Sequence, residues 1–226
     1  MYLAVFICDD NLYQEAKGFF LQQWRSDLLS KDWTSLIGAY LVTQYLRQNW
    51  KPWFNFIDWV YTYEDMYYTT SHSDDFLMVA IDNKKVAVDI ECIHSRDVSL
   101  LRNIKIPNST YSKRENFYIQ RSAKECLVKF LNLTSDAMKD MKISKFAQHS
   151  HFSVDEWEFA SLITLTYKWN DYRIHVDVKN GRVMALMKES TSNTTKQNSP
   201  QVPLPPPDNG QYLCSMERQW MFKPID

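Results

Sequence analysis

The chain has almost no net charge: 26 Lys and Arg stand against 27 Asp and Glu, a formal −1. No bulk field draws it toward nucleic acid or anionic lipid, so a charged ligand must be held by a local site. No apolar run approaches the roughly eighteen residues that cross a bilayer. The opening MYLAVFICDD has a short apolar run but no basic start, no long apolar core and acids at its end. Such a segment makes a poor signal peptide and reads as a first strand. Cysteine is scarce and unpaired, with Cys8, Cys92, Cys126 and Cys214 standing singly and no C-x-x-C step. That pattern argues against disulfides and zinc and for buried thiols in a reducing compartment. The expectation is a soluble, cytoplasmic protein with no nucleic-acid and no membrane partner, in which the sequons at Asn108, Asn132 and Asn193 carry little meaning. Glycine is scarce too, at four residues, whereas hydrophobic residues reach 45% of the 226. What is present is enough apolar surface for a sizeable core, in one compact domain or two small ones.

Along the chain, Leu12, Ala16, Phe19, Phe20 and Trp24 recur at helical steps and predict an amphipathic helix over 11–29. A second helix, capped by Asp32 or Thr34, runs to about Gln48, with Leu36, Ile37, Tyr40, Leu41, Gln44 and Tyr45 inward. The Lys51-Pro52 step marks an irregular, aromatic loop. Phe76 to Ile81 and Val86 to Ile93 read as two strands of a hairpin turning at Asp82-Asn83-Lys84. The stretch STYSKRENFYIQRSAKECLVKFLNL reads as a long helix behind Ser/Thr caps, and the strands after it turn at WNDY and at Asn180-Gly181. From Glu189 the composition becomes polar and proline-rich, a linker or tail rather than packed structure.

The stretch KKVAVDIECI carries the chemical puzzle. In a strand, residues two apart share a side, so Asp89 and Glu91 project together while Val86, Val88 and Ile90 fill the other face. Two acids on one patch repel, and burying them uncompensated costs several kcal/mol or forces protonation. A hard divalent cation relieves that, and oxygen ligands without a His or Cys cluster point to Mg²⁺. The ordinary alternative is an edge strand whose acids face water. Upstream, His72 lies between Ser71 and Ser73 in a loop at the entry to the first hairpin strand, where hydroxyls, imidazole and free N–H groups can receive a phosphate. Downstream, Glu125 and Lys129 share one helix face at i and i+4, with Lys124 about a hundred degrees round.

In this order Ser71-His72-Ser73, Val88-Asp89-Ile90-Glu91 and Lys124-Glu125 with Lys129 resemble the signatures of the Sfp-type 4′-phosphopantetheinyl transferases. Those signatures run S-H-S, (V/I)-D-I-E and W-(S/T)-x-K-E-x-x-x-K, and Lys51-Pro52 is similar to the family's G-K-P step. The likeness is strong over 69–91 and 117–130 and absent after about Leu186. It implies an α+β fold of two similar α/β subdomains related by a pseudo-twofold, with the ligand cleft between them. The implied spans are 1–95, 96–188 and a tail at 189–226, in a monomer. The implied activity is Mg²⁺-dependent transfer of the 4′-phosphopantetheine of coenzyme A to a serine of an apo acyl or peptidyl carrier protein, releasing 3′,5′-ADP. By the resemblance, Asp89, Glu91 and Glu125 hold the metal, and Glu125 takes the serine proton, directly or through a water. Lys124 and Lys129 face the phosphates, His72 contacts a coenzyme A phosphate, and Ser71, Lys51 and Pro52 line the adenine side.

The chain departs from the family pattern at four positions. Arg121 stands where the Trp of the helix motif is usual, Trp50 replaces the Gly of G-K-P, and Thr34 and Thr43 occupy positions that often carry phosphate-gripping arginines. Lys31 and Arg47 are candidate replacements for those arginines. These departures support a second reading, a non-catalytic homologue that binds coenzyme A or a carrier protein. The PLPPP stretch raises a third, an adaptor ligand for an aromatic groove.

Overall fold

A computed structural model of the chain describes residues 1–22, 32–49, 66–94 and 106–189. The expectations for Lys31, Trp50, Lys51, Pro52, Cys214 and the proline-rich tail lie outside the described residues. Met1–Lys188 forms one compact unit. Its elements are β1 (Tyr2–Ile7), α1 (Asp10–Gln22), α2 (Trp33–Asn49), β2 (Tyr67–Ser73), β3 (Phe76–Asp82), β4 (Val86–Cys92) and α3 (Lys113–Leu131). A 3-10 turn at Ser135–Asp140 then leads to β5 (Lys142–Val154), β6 (Trp157–Tyr167), β7 (Asn170–Lys179) and β8 (Arg182–Lys188). The class is α+β, with two antiparallel sheets and few helices: β1-β3-β2, and β4-β8-β7-β6-β5.

Local chemistry accounts for the helix ends. Asp32 is the cap of α2: its carboxylate accepts from the Ser35 N–H at 2.9 Å and from the Thr34 hydroxyl at 2.6 Å. Helix α3 opens on a capping box in which Ser112 and Glu115 satisfy each other's backbone N–H groups, and it closes on Asn132 in the left-handed region. The Asn180-Gly181 turn joins β7 to β8 with φ of 53° and 71°, the paired positive values of a tight hairpin. The turn between β6 and β7 falls at Lys168-Trp169 (φ 46° and 70°), one residue ahead of the expected WNDY.

The expected hairpin between Phe76–Ile81 and Val86–Ile93 does not form. β3 lies between β1 and β2 with both edges occupied, while β4 passes into the other sheet and pairs with β8. Both strands are buried along nearly their whole length, β4 with two acids on one face, so the tight link between them does not dictate pairing. The hairpin that forms is β2–β3, turning at Asp74-Asp75, and it puts Ser71-His72-Ser73 inside a strand rather than in an entry loop.

Two cores follow from strand alternation. One face of the five-stranded sheet, with Ala87, Ile163, Val176 and Ala185, is covered by Ile119, Ala123, Cys126 and Leu127 of α3. On the other face, Val86, Val88 and Ile90 of β4 pack with Leu3, Met78 and Ala80 of the three-stranded sheet and with Phe159. Each such side chain gains about 1.5–3 kcal/mol on leaving water. β4 is therefore sandwiched between the small sheet and α3. Cys8, Cys92 and Cys126 are free and buried, in line with the expectation of unpaired thiols.

Candidate metal centre

Strand alternation turns Asp89 and Glu91 toward α3, away from the apolar side of β4. Helix α3 offers Arg121, Glu125 and Lys129 at i, i+4 and i+8, a single stripe along the face that crosses the strand. The result brings Asp89, Glu91 and Glu125 together, with one oxygen from each within 4.8 Å of the others.

Two cations answer the three acids. The Lys129 ammonium donates to Asp89 Oδ1 at 2.7 Å and to the Val88 carbonyl at 3.2 Å. Arg121 Nε donates to Glu125 Oε1 at 2.9 Å and lies in ionic contact with Glu91 Oε1 at 2.7 Å. A single N–H cannot aim well at both, so Glu125 receives the hydrogen bond and Glu91 the Coulomb attraction. One negative charge is left over. Burial and then Asp89 push Glu91 up to about 7, Arg121 pulling it down and Glu125 adding to the rise. Burial and Asp89 also raise Glu125, against Lys129 and Arg121.

The residues fit a bound cation. Asp89 is 1% exposed, and its Oδ2 has no hydrogen-bond partner among the described residues. A buried acceptor without a donor costs about 1–3 kcal/mol, which a cation would recover. The donors are all carboxylate oxygens, the set a hard divalent ion takes.

Ser71 and Ser73 serve the seam between the sheets. β4 is an edge strand, and the N–H groups of Ile90 and Cys92 point away from β8. Ser71 Oγ accepts from Ile90 N at 3.3 Å and donates to Asp89 Oδ1 at 2.8 Å, while Ser73 Oγ accepts from Cys92 N at 2.9 Å. The two-residue spacing of the serines matches the two-residue repeat of outward N–H groups on a strand. The Ser71 hydroxyl is thus committed to β4 and to Asp89. His72, on the opposite face of β2, senses the charges around it: partial burial and Lys129 lower its pKa, against Asp32 and Asp89.

The remaining expected residues lie elsewhere. Lys124 does not join the acids; its ammonium donates to the Met138 carbonyl at 2.8 Å, and burial lowers its pKa. Being a hundred degrees round α3 from Glu125 aims it at the 3-10 turn instead. Thr34 and Thr43 are buried, with hydroxyls on Asp32 and on the Ala39 carbonyl at 2.7 Å, so neither position has room for an arginine. Arg47 lies over the Phe19 ring, 4.8 Å from its centre. The residue that sequence reasoning left without a role in the site is Arg121, although its i, i+4 spacing to Glu125 was the signal for it. No protein-family model matches the chain and no curated protein matches it.

Proposed function

We propose that the chain transfers the 4′-phosphopantetheine moiety of coenzyme A to a serine of an apo acyl or peptidyl carrier protein, with Mg²⁺, releasing 3′,5′-ADP. The observation that carries this reading is the convergence of Asp89, Glu91 and Glu125 from two distant chain segments, with Lys129 on Asp89. The likeness of Ser71-His72-Ser73, Asp89/Glu91 and Lys124-Glu125 with Lys129 to the Sfp-type transferases names the substrate. The family's two-halved, pseudo-twofold architecture belongs to the same proposal, and the acids' place beside the β2–β4 seam is in keeping with it.

Asp89, Glu91 and Glu125 would hold the cation, which when bound neutralises charge on a pyrophosphate and on its leaving group. The carrier serine hydroxyl attacks the β-phosphorus of coenzyme A. A new O–P bond forms as the bond to the departing 3′,5′-ADP breaks. Glu125 is suited to take the hydroxyl proton, because burial and Asp89 raise its basicity. Lys129, fixed by Asp89 and the Val88 carbonyl, would supply positive charge next to the phosphates. By the resemblance, His72 would contact a coenzyme A phosphate. Lys124, bonded to Met138, acts by holding the 3-10 turn against α3.

The test mixes the full chain with an apo carrier protein, a fluorophore-bearing coenzyme A and Mg²⁺. Labelled carrier is expected with the wild type and none with Asp89→Ala or Glu125→Ala, each checked for folding by circular dichroism. Full labelling by either variant would remove the acids from the mechanism. A second reading, a non-catalytic homologue binding coenzyme A or a carrier, is favoured by one observation: a guanidinium sits against Glu91 and Glu125. Retained coenzyme A binding with no labelling of any of several carriers would select it.

A further inference from the structure

We propose that Arg121 is an internal counter-cation that competes with the divalent ion for Glu91 and Glu125, so that ion entry is an exchange in which the guanidinium leaves. The inference rests on the reading of the three acids as a metal centre. It starts from an asymmetry between the two cations on α3. Lys129 is locked, with a side chain 10% exposed and ties to Asp89 Oδ1 and the Val88 carbonyl. Arg121 is 27% exposed and, among the described residues, its ion pairs are with the other two acids, at 2.7 Å and 2.9 Å. Lys129 leaves Asp89 Oδ2 open and buried, which preserves one ligand oxygen for an ion.

Glu91 and Glu125, by contrast, are already occupied by positive charge. A divalent ion on those carboxylates would sit some 2–2.5 Å from their oxygens, inside the volume that the Arg121 Nε approaches. Like charges at that separation, in a site screened from water, exclude joint occupancy. The guanidinium has a solvent side to move to, carries its own charge into water at low cost, and is anchored on α3 by a long flexible stem. In the absence of an ion Arg121 therefore stabilises the acids, and on ion binding that stabilisation is handed over.

The experiment measures Mn²⁺ alone, by calorimetry and by electron paramagnetic resonance, on the full chain carrying R121Q, R121M or R121K. R121Q and R121M should bind Mn²⁺ about tenfold or more tighter than wild type, because a unit positive charge a few ångströms from the ion is gone. R121K, which keeps the charge, should stay within about threefold of wild type. If Asp89→Ala abolishes Mn²⁺ binding but R121Q and R121M bind no tighter than wild type, the exchange is overturned and the metal centre stands. If no form binds Mn²⁺, the metal centre falls and the exchange with it. Should R121Q and R121M need Mn²⁺ to fold, the ion is replacing the guanidinium and the proposal is supported; if they stay unfolded with Mn²⁺ present, it is overturned.

Discussion

The two faces of β4 are built to opposite specifications. On one, Val86, Val88 and Ile90 lock into an apolar core that holds the two sheets together. On the other, Asp89 and Glu91 meet Glu125 and are kept in place by Arg121 and Lys129, with charge to spare. A strand normally spends one face on the core and gives the other to water. Here both faces are buried, so the second must justify its acids by what they hold. The apolar face supplies the stability that allows the charged face to be poorly compensated.

One substitution on each face of β4 separates the two roles. Ile90→Ala should lower unfolding free energy by about 2–5 kcal/mol in denaturant titration, as for other buried aliphatic truncations, and leave Mn²⁺ binding measurable below the transition. Glu91→Gln should do the reverse, abolishing tight Mn²⁺ binding with no loss of stability at pH 8. Equal stability losses from the two would mean that the charged face is as structural as the apolar one.

The pH dependence sharpens the contrast at smaller scale. Glu91 binds its proton more tightly folded than unfolded, its pKa rising from 4.5 to about 7. Its stabilising contribution is thus fully present below pH 4.5 and lost as pH rises through about 7. The loss should be on the order of 3 kcal/mol for the ion-free protein. His175, stacked on Phe152 with ring centres 3.9 Å apart, titrates the other way. Burial takes it from 6.5 to about 4, so its contribution is present above pH 6.5 and lost as pH falls toward 4. Denaturant titrations across pH 4 to 9 separate the two: Glu91→Gln should shrink the alkaline loss, to which the raised Glu125 also contributes, and keep the acid one, whereas His175→Phe should abolish the acid loss and keep the alkaline one. The smallest effect belongs to Lys124→Ala, with about 1 kcal/mol of stability lost and carrier labelling unchanged. A large fall in labelling would return Lys124 to the phosphates.

Much of the site was legible in the sequence, because its rules are local ones. The period of two put Asp89 and Glu91 on one side, and the period of 3.6 put Glu125 and Lys129 on another. Capping chemistry placed α3, and Asn180-Gly181 fixed the β7–β8 turn. What escaped was set by contacts between distant segments. After Tyr67 and Tyr68, β2 is Thr, Ser and His with no apolar alternation, so it reads as a loop, and its bonds to β3 and β4 are what make it a strand. β5 is a polar edge strand with register shifts after Ile143 and after Gln148, which blur its pattern. Phe76–Ile81 and Val86–Ile93 looked like natural partners because adjacency is the default, and only the claims of β1, β2 and β8 on their edges separate them.

The Ser71 hydroxyl spans the two sheets. It takes a hydrogen from the Ile90 amide and gives one to the Asp89 carboxylate, so it grips adjacent residues of β4 from a strand that belongs to the other sheet. The aim of Asp89 is thereby calibrated by the separation of the two sheets, as a lens is by the barrel that spaces it. Any partner that wedges or clamps the sheets would refocus that carboxylate without touching it.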